Sequence, residues 1–334
     1  MHSTLNSYLG LAQKEGLSFC AWRLPGETEI QHAGPAPEMI WDKSSSDPEI
    51  FVFAPFNGKR HPVFMIGREG ELSKMKPPSA PANTDKKHFL KWASTAIQAI
   101  KSGRFRKIVA ARVHERKLAF FDPVKHFLGL CEKQPGAFCS LWFSPSTGLW
   151  LGASPELLLE RNEKNIRTVA LAGTRLIDGE GFGSKEEEEQ GLVLEYLEEV
   201  LSPWLEDKRV ASQTRVTSGH LHHLTNEIRG HLKEARPDMM NLINKLHPTP
   251  AVAGLPKEEA IGFIEQEEGM DRTYYSGFLG TLSQDHCRLF ANLRCMQVLK
   301  DTQFIYAGAG LTADSDPEKE WQETEEKTKV VLLL

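Results

Sequence analysis

Two glutamate doublets mark the chain: Glu186 and Glu189 in SKEEEEQGLVLEYLEEVL, and Glu320 and Glu323 in DPEKEWQETEEKTK. Residues three apart on a helix share a face, so each segment can aim two carboxylates at one point. Four hard oxygen donors from two helices suit Mg²⁺, which keeps several waters and takes its other ligands from carboxylates and substrate. A solvated helix face near a negatively biased N-terminus has the same pattern, and on spacing alone it is the commoner outcome. Lys327 follows Glu323 by one turn, and YAGAG (Tyr306 to Gly310) offers glycines that permit close backbone approach, so a small anion can be held there; an ordinary surface pair reads the same way.

Other residues have two readings as well. Lys107 opens the apolar strand KIVAARVHERKL, where a desolvated lysine can lose its proton and act as a base, although a lysine at a strand end more often reaches out to solvent. Glu156 closes GASPE before Leu157, Leu158 and Leu159; there a carboxyl can keep its proton and serve as an acid, or Ser154-Pro155-Glu156 can simply be a turn. Arg294 is an isolated charge in FANLRCMQV and calls for an anion, either a substrate carboxylate or a structural glutamate. His220, His222 and His223 lack H-x-x-x-H spacing and an accompanying HExxH glutamate, which argues against zinc.

The elements that must position these groups are mixed. Asp85 to Ser102 has a helical apolar pattern through Phe89, Trp92, Ala93, Ala96, Ile97 and Ile100, and follows a proline-rich boundary at 74–84. FVFAPF (51–56) and PVFMIG (62–67) read as strands, so the N-terminal quarter is expected to be strands and turns. FCSLWFSPSTGLWLGASPELLLER predicts a strand, a turn at Ser144 to Gly148 and a second strand, and Arg288 to Ala309 predicts another hairpin. Helices are expected over Lys185 to Leu205, Leu221 to Glu234 and after Asp316-Pro317. This is an α/β (α+β) pattern built on antiparallel sheet, and no phosphate-loop or dinucleotide glycine motif opposes it.

Composition narrows the partners. A net charge of -5 gives no basic field for nucleic acid, and no apolar run approaches the roughly 18 residues of a membrane helix. The five cysteines form no C-x-x-C, which suits reduced thiols in a cytoplasm.

Taken in order, KIVAAR, LGASPELLLER, ALAGTR, KEEEEQGLVLEYL, HLHHLTNEIRG, LHPTPAVAGLP, DRTYYSGFLG, LRC and YAGAGLTADSDPEKEWQETEEKTK resemble the chorismate-utilising enzymes, from about Phe105 to Lys329. The resemblance implies one large fold of two packed, mainly antiparallel sheets with helices outside and the active site between them. Residues 1–80 would be its strand-rich part and 81–334 its chorismate-binding region. It further implies that Glu189 and Glu323 bind Mg²⁺, with Glu186 and Glu320 completing the site or holding its waters. Arg294, Lys327 and the Gly308-Ala309-Gly310 backbone would hold the substrate carboxylates, and His223 with Gly173-Thr174 would line the ring.

Lys107 stands where water-using members carry lysine and ammonia-using members carry glutamine. With Glu156 as acid, this implies isomerisation of chorismate to isochorismate, for menaquinone or a siderophore. Salicylate synthase is the nearest alternative; anthranilate synthase component I and a non-catalytic chorismate binder are further ones. Ala172 occupies the position of the nucleophilic lysine of aminodeoxychorismate synthases, and no L-L-E-S-like segment is present, so no glutaminase subunit is expected and a monomer suffices. One departure is Gln190, where the family usually has histidine.

Overall fold

The computed structural model describes residues 1–40, 50–59, 63–66, 77–179, 181–235 and 237–333. Pro62 and Gly67, the ends of one expected strand, and Lys74 to Lys76 of the proline-rich boundary lie outside them. Helix α1 (His2–Glu15) precedes β1 (Ser18–Arg23), β2 (Gln31–Ala36), β3 (Met39–Ile40), β4 (Ile50–Ala54) and β5 (Phe64–Ile66). Helix α2 (Lys86–Lys101) leads to β6 (Lys107–Lys117), α3 (Pro123–Lys133), β7 (Phe138–Ser144), β8 (Gly148–Ser154), β9 (Leu157–Asn162) and β10 (Asn165–Leu176). Then come α4 (Ser184–Leu201), β11 (Leu205–Val210), β12 (Thr214–Ser218), β13 (Leu221–Leu232) and α5 (Met239–Leu246). The chain finishes with β14 (Gly254–Leu255), α6 (Lys257–Glu267), β15 (Phe278–Leu282), β16 (His286–Ala291), β17 (Cys295–Leu299), β18 (Thr302–Leu311) and α7 (Pro317–Leu332).

Two antiparallel sheets result, as the resemblance implies. One has the order β14-β6-β18-β17-β8-β7-β1-β2, the other β11-β13-β10-β9-β16-β15-β4-β5-β3 with β12 beside β13. An aromatic core joins them: Phe53 of β4 packs 5.0 Å from Trp142 of β7, and Phe138 stacks 4.3 Å from Phe290 of β16. Such rings bury large apolar areas and gain from offset geometry. Strands before residue 80 enter both sheets, β1 against β7 and β4 against β15, so the two parts of the chain share one fold.

Helices cover the outer faces. α2 is capped by Asp85, whose carboxylate accepts from His88 N–H at 2.8 Å, and its six expected apolar residues are all buried. α4 and α7 form as expected, α4 ending at Leu201.

Three expectations change. The spacing over Leu221 to Glu234 predicts a helix, but Leu221–Leu232 is strand β13, pairing along β10 from Leu176↔Leu221 to Asn165↔His231. Leu221, Leu224, Ile228 and Leu232 imitate a helical period, yet the burial alternates from Ile228 to Leu232 and the ladder with β10 overrides the spacing. The N-terminal quarter also holds a helix, α1, with Leu5, Leu9 and Ala12 buried and Gly16 closing it at φ 66°. Finally, GLWLGASPELLLER and RLFANLRCMQVL each supply two strands, not one, and the two members of each pair lie in different sheets.

Candidate active site

Those two splits build the site, because each is a place where the chain crosses between sheets. At the first, β8 ends at Ser154, and Pro155, with no N–H to donate, cannot continue the ladder. Glu156 sits at this crossing, 3% exposed; its N–H donates to Ser154 Oγ at 3.3 Å and its carbonyl accepts from Ala291 N–H at 3.0 Å. At the second, Arg294 joins β16 to β17 with φ 48°, a backbone conformation sparsely used by residues other than glycine.

Lys107 begins β6 and is fully buried. β14 covers only the start of this strand, pairing with Lys107 and Ile108. Beyond it an ion pair takes over the ladder: Ala111 N–H donates to Glu268 Oε1 at 2.7 Å, and Arg272 donates to the carbonyls of Val109 at 2.7 Å and Val252 at 2.8 Å. Glu268 and Arg272 are themselves bonded at 2.6 Å and buried, so β6 is anchored by groups almost wholly shielded from water. The Lys107 ammonium lies 3.0 Å from Glu189 Oε1.

Glu189 reaches that point because Gly310 has no side chain. A Cβ at Gly310 would fall 1.9 Å from Glu189 Oε1. Burial opposes ionisation of Glu189, but Lys107, Lys185 and Lys327 together hold its carboxyl below the usual range. Gly173 serves the same helix differently: it forms the bulge in β10 at φ 69°, and a Cβ there would meet Glu186 Cβ at 2.9 Å. Glu186 is turned toward its own helix start, accepting from Gly183 N–H at 2.8 Å, and toward Arg175 at 3.0 Å.

From α7, Glu323 pairs with Lys327 at 2.5 Å, and Lys327 also donates to Gly308 carbonyl at 2.8 Å. Glu320 pairs with Lys185 and is 2% exposed, with Oε2 left without a partner. Burial, reinforced by Glu323, pushes the Glu320 carboxyl up to about 7.

Glu156, Gly173, Thr174, Glu189, His223, Arg294, Gly308, Gly310 and Lys327 line one cavity. Ala309 is buried behind its wall, and Lys107 lies behind Glu189. Burial raises the Glu156 carboxyl to about 7 even though Lys107, Thr249, Lys327 and Arg294 all act to lower it. Thr249 Oγ1 approaches Glu156 Oε1 at 3.4 Å. His223 is held well below its normal range by burial and by Arg294, so its imidazole is neutral; its ring nitrogens meet Thr174 Oγ1 and an Arg294 Nη2, both at 3.2 Å. Burial lowers Arg294 to about 10, and its Nη1 is buried without a partner. A guanidinium nitrogen in that state at a cavity wall is matched by an incoming carboxylate.

Glu186, Glu320 and Glu323 open instead on an adjoining cleft, which shares Thr174 with the cavity. Among the described residues no group of three or more His, Cys, Asp or Glu side chains is arranged as a ready metal cage. The donors still fit a hard cation: Glu189, Glu320 and Glu323 all act on the one ammonium of Lys185, and Glu320 has a free buried oxygen.

Sequence reasoning missed Tyr275 at the cavity wall, Thr249 beside Glu156, and Lys185. Tyr275 and Thr249 sit in DRTYYSGFLG and LHPTPAVAGLP, whose periodicity carries no sign of where they point. Lys185 is adjacent to a glutamate run that hides it as one more surface charge. Gln190, at the expected histidine, donates from Nε2 to Asn226 Oδ1 at 2.6 Å and accepts from Gln213 at 3.2 Å, tying α4 to β13.

The chain matches the family described as "Chorismate binding enzyme" over residues 67–333. It is 32% identical to the "Salicylate biosynthesis isochorismate synthase" of Pseudomonas aeruginosa over 69% of this chain and 51% of that protein. It is 31% identical to isochorismate synthase MenF of Escherichia coli over 73% of this chain and 59% of that one. The chain thus spans about half to two thirds the length of the curated relatives it matches. In structure it superposes on the putative 2,3-dihydroxybenzoate-specific isochorismate synthase DhbC of Bacillus anthracis with a TM-score of 0.83 at 26% identity, covering 100% and 99% of the two chains. Among the described residues no helix is long and apolar enough to cross a membrane. The match over most of the chain, with the ordered motifs gathered at one cavity, places this protein in the chorismate-binding enzyme family.

Proposed function

We propose that this protein is a Mg²⁺-dependent isochorismate synthase acting in the cytoplasm as a single chain without a glutaminase subunit. The observation that carries this reading is Glu156: a buried carboxyl raised to about 7, at the wall of a cavity that also presents Arg294 and Lys327. Such a group still holds its proton near neutrality and can give it to a leaving hydroxyl. Arg294, with its unpartnered Nη1, and Lys327 supply positive charge for the two carboxylates of chorismate. Neutral His223 and Thr174 offer hydrogen bonds without adding charge.

In the reaction we infer, Lys107 in its neutral form takes a proton from a water attacking C2. The ring double bonds shift, the C4–O bond breaks, and Glu156 protonates the departing hydroxide. Lys107 ends protonated and Glu156 ionised, and a proton passed back between them through water resets the site. Lys107 is now held by Glu189, so its work as a base requires that carboxylate to turn to another cation. Mg²⁺ would supply that cation and neutralise a substrate carboxylate. Glu189, Glu320 and Glu323 would hold it, while Glu186, engaged with Gly183 and Arg175, would hold its waters and the start of α4.

The test is incubation with chorismate and Mg²⁺ followed by chromatography and pyruvate assay. Isochorismate without pyruvate is expected, and EDTA should abolish its formation. Stoichiometric pyruvate with salicylate would replace this reading by salicylate synthase, which needs the same lysine and glutamate; the Pseudomonas relative is named for salicylate biosynthesis. Chorismate binding without turnover would make the protein a non-catalytic binder. Wild-type turnover by Lys107→Ala would remove Lys107 from the mechanism. We assign the product to menaquinone synthesis; a catecholate siderophore is the other use.

A further inference from the structure

The cleft beside the substrate cavity has a volume of about 530 Å³ and runs between the start of α4 and the first turns of α7. Lys185 lies on its wall, 22% exposed at the side chain, with its ammonium ion-paired to Glu320. Glu323 and Glu189 attract the same ammonium through space. One lysine therefore offsets the mutual repulsion of three carboxylates drawn from two helices. It does so incompletely, since Glu320 Oε2 is buried and has no partner.

Resting on the metal reading above, we propose that Lys185 is an internal counter-cation: it occupies the divalent-cation position of the metal-free protein and withdraws into the cleft when the metal enters. A lysine suits this exchange. Its ammonium is a compact point charge on a flexible stem, and it partly offsets the charge of the acidic cluster before metal arrives. It is also tethered, so it competes at a high effective concentration that free monovalent ions do not reach. The metal binds only the fraction of molecules in which Lys185 has moved out, and its apparent affinity falls by that fraction. Lys185 would then set how much Mg²⁺ is needed for occupancy without touching substrate.

The experiment measures Mn²⁺ binding by electron paramagnetic resonance and Mg²⁺ binding by calorimetry on the full chain, without substrate. Lys185→Met, Lys185→Arg and Lys319→Met are compared with wild type, Lys319 being an exposed charge on the same cleft. Lys185→Met should bind both metals at least about tenfold more tightly, Lys185→Arg should not, and Lys319→Met should change by less than about twofold. Metal-free Lys185→Met should also melt below wild type and regain more on adding metal. Lys185→Gln serves as the second variant if the methionine protein does not fold. Equal metal affinity in Lys185→Met and wild type overturns this proposal alone, and an equal gain in Lys319→Met assigns the effect to the general field and overturns it too. No binding by any of the proteins overturns the metal reading and this proposal with it.

Discussion

Replacing Glu156 by glutamine separates its chemistry from its cost. The side chain keeps its size and an oxygen for Thr249, but it can neither ionise nor give up a proton. Burial raises this carboxyl from 4.5 to about 7, so the folded protein binds the proton more tightly than the unfolded chain does. A group shifted in this direction contributes stability that is complete below pH 4.5 and lost as pH rises through about 7. At about 1.4 kcal/mol per pH unit the loss is roughly 3 kcal/mol between pH 4.5 and pH 8.5. Unfolding entropy near 2.1 cal/mol/K per residue over 334 residues gives about 0.7 kcal/mol/K, so the melting temperature of wild type at pH 8.5 carries a penalty of about 4 °C. Glu156→Gln should lack that penalty: calorimetric scans should place it about 4 °C higher relative to wild type at pH 8.5 than at pH 5. Its turnover of chorismate should fall by about 10²- to 10⁴-fold, as expected for losing a general acid. Wild-type turnover itself should decline as pH rises through about 7, where Glu156 ionises. A variant whose melting temperature tracks wild type at both pH values would refute the raised pKa, and one that retains wild-type turnover would refute the acid role.

Three further outcomes follow from the geometry. Gly310→Ala should push the Glu189 carboxylate away from Lys107, since the added carbon would sit 1.9 Å from Oε1; circular dichroism should be unchanged while activity falls by more than about tenfold. Arg294→Lys should raise KM for chorismate by about tenfold or more in steady-state assays with a smaller change in kcat, because a planar two-pronged donor is replaced by a point charge. Glu268→Gln leaves Arg272 as a buried, unpaired charge under β6 and should destabilise by about 3–5 kcal/mol, read as a drop of about 4–7 °C in melting temperature.

The sequence by itself determined the elements with strong local periods and the identity of most polar groups at the cavity. α2 is spelled out by its Asp85 cap and apolar stripe, the start of α7 by Asp316-Pro317, and antiparallel sheet by alternation, so these follow from short-range geometry. The spacing of Glu186 with Glu189, and of Glu320 with Glu323, was legible too, but what each carboxylate faces was not. Glu186 turns to Arg175 and its own helix start, while Glu189 reaches Lys107 past a glycine more than a hundred residues away in sequence. Those choices depend on contacts between distant segments, which no local pattern records.

Tertiary structure also decided β13, whose leucines imitate a helix but whose ladder with β10 holds it extended. Above all it decided that Pro155-Glu156 and Asn292-Leu293-Arg294 are crossings between sheets. Read locally, each is a turn or a polar interruption in a strand. Only when the two sheets pack does each crossing place an ionisable side chain inside, where its ionisation is shifted by burial.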